Sequence, residues 1–375
     1  CSLKPNEDRL VLAVEAYVKP DGTVGQYRFM RGMIKSRARL TYAQVQNQID
    51  TGLEPACVSL SKDIDHIYQV YLALDKARHL RGTLEISIPE YKVVFNSKGA
   101  PSKMVTHRER TSNKIIEEFM ILANVCAAHA LLKHKYPSVF RNHDEPDPKR
   151  YHNMIRIIKS FGYKTPKNAD ISPHTFNTIL AENHKEDYQD FVQELVLRCQ
   201  AQANYEVQNK GHFGLSLKYY THFTSPIRRY SDLIVHRSLI NALKLDNVSY
   251  TVPKGDDLAR IAQHISQTER VAMNAERTAK ERFAFAILVK DIGKTVTARI
   301  SGIVERGFFV QIQGTCAEGF IPLTDLDDDY YTFDADNYRL IGRKKKRIYQ
   351  LGQALQVKII TVNPMLSKLT LKIMG

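Results

Sequence analysis

The texture of the chain changes near Lys290, and this change constrains the fold more than any other feature of the sequence. Upstream, apolar residues recur at helical spacing over residues 42–76, 112–135, 148–161, 172–181, 188–199, 226–243 and 256–288. A strand-like piece at 83–95 lies among them, and residues 10–14 and 27–30 flank Lys19-Pro20-Asp21-Gly22-Thr23, the pattern of an opening β-hairpin. Downstream, residues 294–300, 303–313, 320–323, 355–362 and 368–373 read as five short strands, enough within about 85 residues to close a small barrel. The fold class that follows is α+β: a mixed α/β body over residues 1–290, then a five-stranded β-barrel over residues 291–375.

Alternation in Phe308-Phe309-Val310-Gln311-Ile312 places Phe308, Val310 and Ile312 in the barrel core and Phe309 outside, beside Gln311 and Gln313. A singly exposed ring often has no role, but an aromatic on a small barrel in a basic chain is also a platform for a stacked base. The formal net charge of +14 favours a polyanionic partner, either nucleic acid or an anionic membrane. No apolar run approaches the roughly 20 residues that span a bilayer, and the N-terminus lacks a basic-then-apolar pattern, so no membrane partner is expected. Cys1, Cys57, Cys126, Cys199 and Cys316 lie far apart with no CxxC pair, which predicts structural thiols in a reducing cytoplasm. The opening Cys1-Ser2-Leu3, followed almost at once by an alternating segment, predicts entry in mid-domain; a genuine or processed terminus is the other reading.

The stretch His222 to Arg237 is the richest in chemistry. Ser225 as N-cap and Pro226 at the first helical position predict a helix start. Arg228 and Arg229 then fall in the first turn, where the helix dipole disfavours cations and an anion is expected. A phosphate would meet backbone N–H groups, the Thr224 or Ser225 hydroxyl and a bidentate guanidinium together. The plainer alternative pairs one arginine with Asp232, which accounts for one of the two. The second anomaly is the segment 115–128, apolar nearly all round yet holding Glu117, Glu118 and Asn124. Glu117 and Asn124 share one face, which either meets a polar network or lines a substrate cavity; pairing with Lys114 or a nearby arginine is the structural alternative. Adjacent Glu117 and Glu118 point apart on a helix and are not expected to act as a dyad. Glu276 and Arg277, the run Arg343-Lys344-Lys345-Lys346-Arg347 and the acidic run over residues 325–329 read by default as solvated.

In chain order, Arg39-Leu40-Thr41-Tyr42, the segment Ile116 to Asn124, His212-Phe213-Gly214-Leu215, Thr224-Ser225-Pro226-Ile227-Arg228-Arg229-Tyr230 and Met273-Asn274-Ala275-Glu276-Arg277 resemble the RNB catalytic domain of the ribonuclease II/R family, closest to its ribonuclease R branch. Gly307-Phe308-Phe309-Val310 and Asp328-Asp329-Tyr330-Tyr331-Thr332-Phe333 resemble the S1-type OB-fold that ends these proteins. The resemblance implies a processive 3′-to-5′ exoribonuclease that hydrolyses single-stranded RNA to nucleoside 5′-monophosphates with Mg²⁺. It implies that Tyr42 stacks near the terminal nucleotides, Glu117 contacts the 3′-terminal nucleotide, Arg228 holds the scissile phosphate and Glu276 contacts substrate or braces the site. Thr224, Ser225, Phe309 and Tyr331 would join the RNA-binding surface. The family's metal-binding aspartates lie upstream of the region matching Cys1. The chain alone is therefore expected to hold no metal and to be inactive, a monomer whose partners are single-stranded RNA and the N-terminal part of the same enzyme. Where family members carry a Phe that sandwiches bases, this chain has Ile86, a weaker stacking surface. The rival reading is a non-catalytic RNA-binding protein that keeps the channel.

Overall fold

A computed structural model of the chain describes residues 2–166, 170–182, 189–326, 329–334 and 338–374. Cys1, the expected helix start at Tyr188, and Asp327 and Asp328 of the acidic run lie outside the described residues. The hairpin opens the fold: β1 (Asp8–Val18) pairs antiparallel with β2 (Val24–Lys35), and the turn closes on Gly22 at φ +80°. Only glycine fits there, because a Cβ would lie 2.2 Å from the Ala73 carbonyl oxygen.

The expected single helix over residues 42–76 is two. Thr41 and Gln44 form a capping box that starts α1 (Tyr42–Thr51), and Gly52 ends it in the left-handed conformation. A 3₁₀ turn from Pro55 leads into α2 (Ser61–Arg81), which stops on Gly82. Of the expected strand at 83–95 only β3 (Glu90–Phe95) forms, paired with β4 (Pro101–His107). After α3 (Thr111–Lys133) come β5 (Phe140–Asn142), α4 (Pro148–Ser160), α5 (Pro173–Glu182), α6 (Gln189–Cys199), β6 (Asn204–Glu206), α7 (Tyr230–Ala242) and α8 (Gly255–Leu288).

Two further expectations need correction. Helix α7 starts at Tyr230, not Pro226, and Ser225 is not its N-cap: residues 226–228 form a separate turn in which the Ser225 carbonyl accepts the N–H groups of Arg228 and Arg229. The buried Asp232 carboxylate takes the Ser225 N–H at 2.7 Å and holds this segment off the helical path. Helix α3, moreover, is long and apolar enough to cross a membrane by length and composition, contrary to the sequence reading. Half of its 18-residue apolar stretch is buried inside the protein and its carboxylates are partnered, as in a core helix.

The closed barrel has the order β13 (Ala354–Asn363), β14 (Lys368–Ile373), β9 (Glu318–Pro322), β8 (Gly307–Ile312), β7 (Thr295–Val304). Phe308, Val310 and Ile312 fill it, as the alternation predicts. Between β9 and β13 the chain makes a three-stranded antiparallel sheet of β10 (Tyr331–Asp334), β11 (Arg339–Gly342) and β12 (Ile348–Gln350). Two apolar cores result. One joins β2, α3, α7 and the start of α8; the other joins α4, α5, α6, the end of α8 and the barrel. The texture change at residue 290 is therefore not a break in packing. Cys57, Cys126, Cys199 and Cys316 are free thiols, the first three buried.

Candidate nucleic-acid interface

Helix α3 forms one wall of a cleft of about 520 Å³ lined by Arg78, Ile86, Lys114, Glu117, Asn177 and Gln193. Arg78, on α2, donates to Glu118 at 2.8 Å and lies 3.5 Å from Glu117, so the adjacent carboxylates, expected to point apart, share one guanidinium. Glu118 is buried and serves as the structural partner; the Glu117 side chain stays 42 % exposed. Burial in the cleft raises the Glu117 pKa against the opposing pull of Arg78. Tyr42 is 48 % exposed at the start of α1, and its carbonyl accepts the Ser112 hydroxyl at 2.8 Å, so it stands at the N-terminal end of the helix that carries Glu117.

Two turns along α3, about 10 Å from Glu117, buried Asn124 donates to the Tyr220 hydroxyl at 2.9 Å and accepts the Phe223 N–H at 2.8 Å. The shared face thus does both things foreseen for it: it lines a cavity at Glu117 and meets a polar network at Asn124. This fastening positions the segment that enters the arginine turn. There Asp232, fully buried, accepts from Arg229 at 2.9 Å, from the Ser225 N–H and from the Ser231 hydroxyl. Arg229 also reaches the Thr224 hydroxyl at 3.4 Å. Arg228 is exposed, and no ion pair or hydrogen bond from its side chain is found among the described residues. Exposed Ile227 and Tyr230 flank it.

Beneath the turn lies a layer that local patterning does not reveal. His143 and His212 pack with ring centroids 4.9 Å apart, Tyr205 bonds His222 at 2.7 Å, and Arg141 grips Glu269 of α8 through two bonds of 2.7 and 3.2 Å while covering the Tyr205 ring. Burial and the neighbouring cations push the His212 pKa down to about 3 and that of His222 well below its ordinary value. These imidazoles are neutral, and His143 accepts the Gly214 N–H, which leaves no site for a second proton on Nδ1. The His212-Phe213-Gly214-Leu215 motif and His222 hinted at this layer; Arg141 and Glu269, which come together from distant segments, were missed, as was Arg78 in the Glu117 cleft.

Glu276 sits exposed on α8, paired with Lys280 at 2.7 Å. On the barrel, Phe309 is 36 % exposed against Phe320 at 4.9 Å, and both line a groove of about 490 Å³ with Phe285, Glu281 and Glu318. Tyr331 packs on Tyr349 at 5.3 Å, whereas its neighbour Tyr330 is 73 % exposed. No group of three or more His, Cys, Asp or Glu side chains among the described residues could hold a metal ion. These residues do not by themselves fit Mg²⁺.

Residues 1–245 match the RNB domain and residues 290–373 the S1 RNA binding domain. Ribonuclease R of Aquifex aeolicus (strain VF5) is 34 % identical over 97 % of this chain and 52 % of its own length. Ribonuclease R of Escherichia coli (strain K12) is 32 % identical over 97 % and 46 % respectively. The chain spans about half the length of the curated relatives it matches. Among solved structures, Mycoplasma genitalium RNase R in complex with ribose methylated single-stranded RNA superposes with a TM-score of 0.91 at 26 % identity, covering 100 % of this chain and 59 % of that one.

Proposed function

The chain belongs to the RNB-domain family of ribonuclease R, and from that premise we propose that it supplies the RNA channel of a processive 3′-to-5′ exoribonuclease that hydrolyses single-stranded RNA to nucleoside 5′-monophosphates. The observation that carries this reading is the arginine turn: Arg229 is committed to buried Asp232, while Arg228 is left exposed with its guanidinium free of described partners. A planar guanidinium presented on an immobilised turn suits bidentate contact with a phosphate. Asn124 ties that turn to the helix of Glu117, whose carboxylate can accept hydrogen bonds from ribose hydroxyls. Tyr42 offers a stacking face at the same end of that helix, and Phe309 offers one on the barrel. Ile86 lines the Glu117 cleft where a base would lie, and packs on it without aromatic stacking.

In such an enzyme Mg²⁺ would supply an activated water and charge stabilisation at the leaving oxygen. Since the described residues offer no carboxylate cluster for it, the reading includes that this chain alone binds RNA without cleaving it. The test is to incubate the purified chain with 5′-labelled oligo(A), with and without Mg²⁺, and to follow both anisotropy and mononucleotide release. Binding without release is expected, and Phe309→Ala should weaken binding by roughly 1–3 kcal/mol, the worth of one base–aromatic stack, while the barrel stays folded. Release of mononucleotides at a rate unchanged by further purification would overturn the inactivity. Failure to bind oligo(A) at low salt would overturn the channel itself.

A further inference from the structure

The sheet β10–β11–β12 carries features that neither the channel nor the Phe309 face uses. Its β11–β12 turn is Arg343-Lys344-Lys345-Lys346-Arg347, exposed throughout, a run whose default reading is a solvated loop. This one is latched. The Asp329 carboxylate accepts the backbone N–H groups of Tyr330 at 2.7 Å, Lys344 at 2.8 Å and Lys345 at 2.6 Å. Gly342 makes the close approach possible, since a Cβ there would stand 2.7 Å from Asp329 Oδ2. Both end arginines are pinned: Arg343 Nε donates to the Thr332 hydroxyl at 3.2 Å, and Arg347 lies 5.1 Å over the Tyr349 ring.

The three lysines between them are exposed, and their side chains make no ion pair among the described residues. Lys346 holds φ +55°, a conformation in which glycine or asparagine would be less strained. Tyr330 stands beside the turn, 73 % exposed, with its carbonyl accepting the Arg343 N–H at 2.8 Å. An exposed ring alone means little, and a lysine run alone means little. A pre-ordered cationic turn abutting an exposed ring matches the two chemistries of a single strand, phosphates and base faces.

We propose that Tyr330 and Lys344-Lys345-Lys346 form a second contact for single-stranded RNA, made by residues other than those of the channel and the Phe309 face, with the lysines on phosphates and the ring under one base. The contact deepens the RNA-binding reading above and rests on it. The Asp329 latch has a defined part: a loop already ordered loses little conformational freedom when RNA arrives.

Anisotropy of 5′-fluorescein oligo(A) across a salt series tests this on the full chain, its variants K344Q/K345Q/K346Q, Tyr330→Ala and Asp329→Ala, and circular dichroism melts of each. The triple variant should flatten the slope of log affinity against log salt by about 2, at roughly 0.7 per phosphate contact on a single strand. Tyr330→Ala should weaken binding roughly 5- to 150-fold with the slope unchanged. Asp329→Ala is the sharpest arm: it removes a negative charge, so charge alone would tighten binding, whereas loss of the latch should weaken it. Wild-type slope and affinity in the triple variant, or tighter binding by a normally melting Asp329→Ala, overturns the proposal. If those variants bind as wild type while Arg228→Ala and Phe309→Ala do not, this contact falls alone; if the wild-type chain binds no oligo(A), the channel reading falls with it.

Discussion

Arg228 and Arg229 are chemically identical neighbours whose surroundings give them different work. Asp232 is fully buried and accepts bonds from the Ser225 N–H, the Ser231 hydroxyl and Arg229. Removing Arg229 leaves that carboxylate buried without its charge partner, and breaking such a pair costs about 3–5 kcal/mol. Arg229→Ala should therefore lower stability to urea by about 3 kcal/mol, whereas Arg228→Ala, at an exposed side chain, should stay within about 0.5 kcal/mol of wild type and lose RNA affinity instead. The reverse pattern, an unfolding defect in Arg228→Ala with RNA binding lost only in Arg229→Ala, would exchange their roles. Spacing alone indicated that Asp232 could satisfy only one arginine. Which one it takes was legible only in the folded turn, because a helix running from Pro226 and a turn followed by a helix from Tyr230 present different residues to the carboxylate.

Among the elements, those with strong local codes were legible. Most stretches with a helical apolar period became helices, although 42–76 is broken in two and 226–229 is not helical, and the period-two alternation at Phe308 to Ile312 gave the correct inner face. What escaped had partners far away in sequence. The expected strand at 83–95 forms no strand in its first half, where the N–H groups go to non-strand acceptors: Leu84 to the Gly214 carbonyl, Glu85 to the Asn177 side chain, Ser87 to the Gln193 side chain. No local pattern encodes such bonds. The same holds for Asn124, recognisable as an amide on an apolar helix but not as the link between α3 and the arginine turn. Asn124→Ala would leave the Phe223 N–H and the Tyr220 hydroxyl without this partner in a buried site. Each buried group left unsatisfied costs about 1–3 kcal/mol, so the chemical unfolding midpoint should fall clearly. RNA affinity of the folded fraction should fall too, because the turn bearing Arg228 loses its tether. A destabilised Asn124→Ala with unimpaired RNA affinity per folded molecule would show that α3 and the turn are positioned independently.

At the scale of the whole molecule, α8 gives its start to one apolar core and its end to the other, and the layer between α8 and the arginine turn is built from neutral histidines. That arrangement ties stability to pH. Burial lowers the pKa of His143, His236 and His222 in the folded chain and brings His212 to about 3 from an ordinary 6.5. An unfolded chain binds a proton at each of them below about pH 6.5, while the folded chain resists, so protons favour unfolding. Their stabilising contribution is complete above that pH and declines as the pH falls, for His212 until its folded value near 3 is reached. Within that window each histidine that stays neutral contributes a slope of about 1.4 kcal/mol per pH unit. His212 and His222, the two lowered furthest, make the loss on acidification steeper than either would alone. Glu117 works in the opposite sense, since its raised pKa lets the folded chain take up a proton first, but it is one group against several. Urea unfolding at pH 7.5 and at pH 5 should therefore show a much lower midpoint at pH 5, with the loss reduced when His212 is replaced by a non-titrating residue such as Asn in a variant that still folds. Equal midpoints at the two pH values would mean that the histidines take up protons in the folded state without penalty, and that the layer under the arginine turn is open to water.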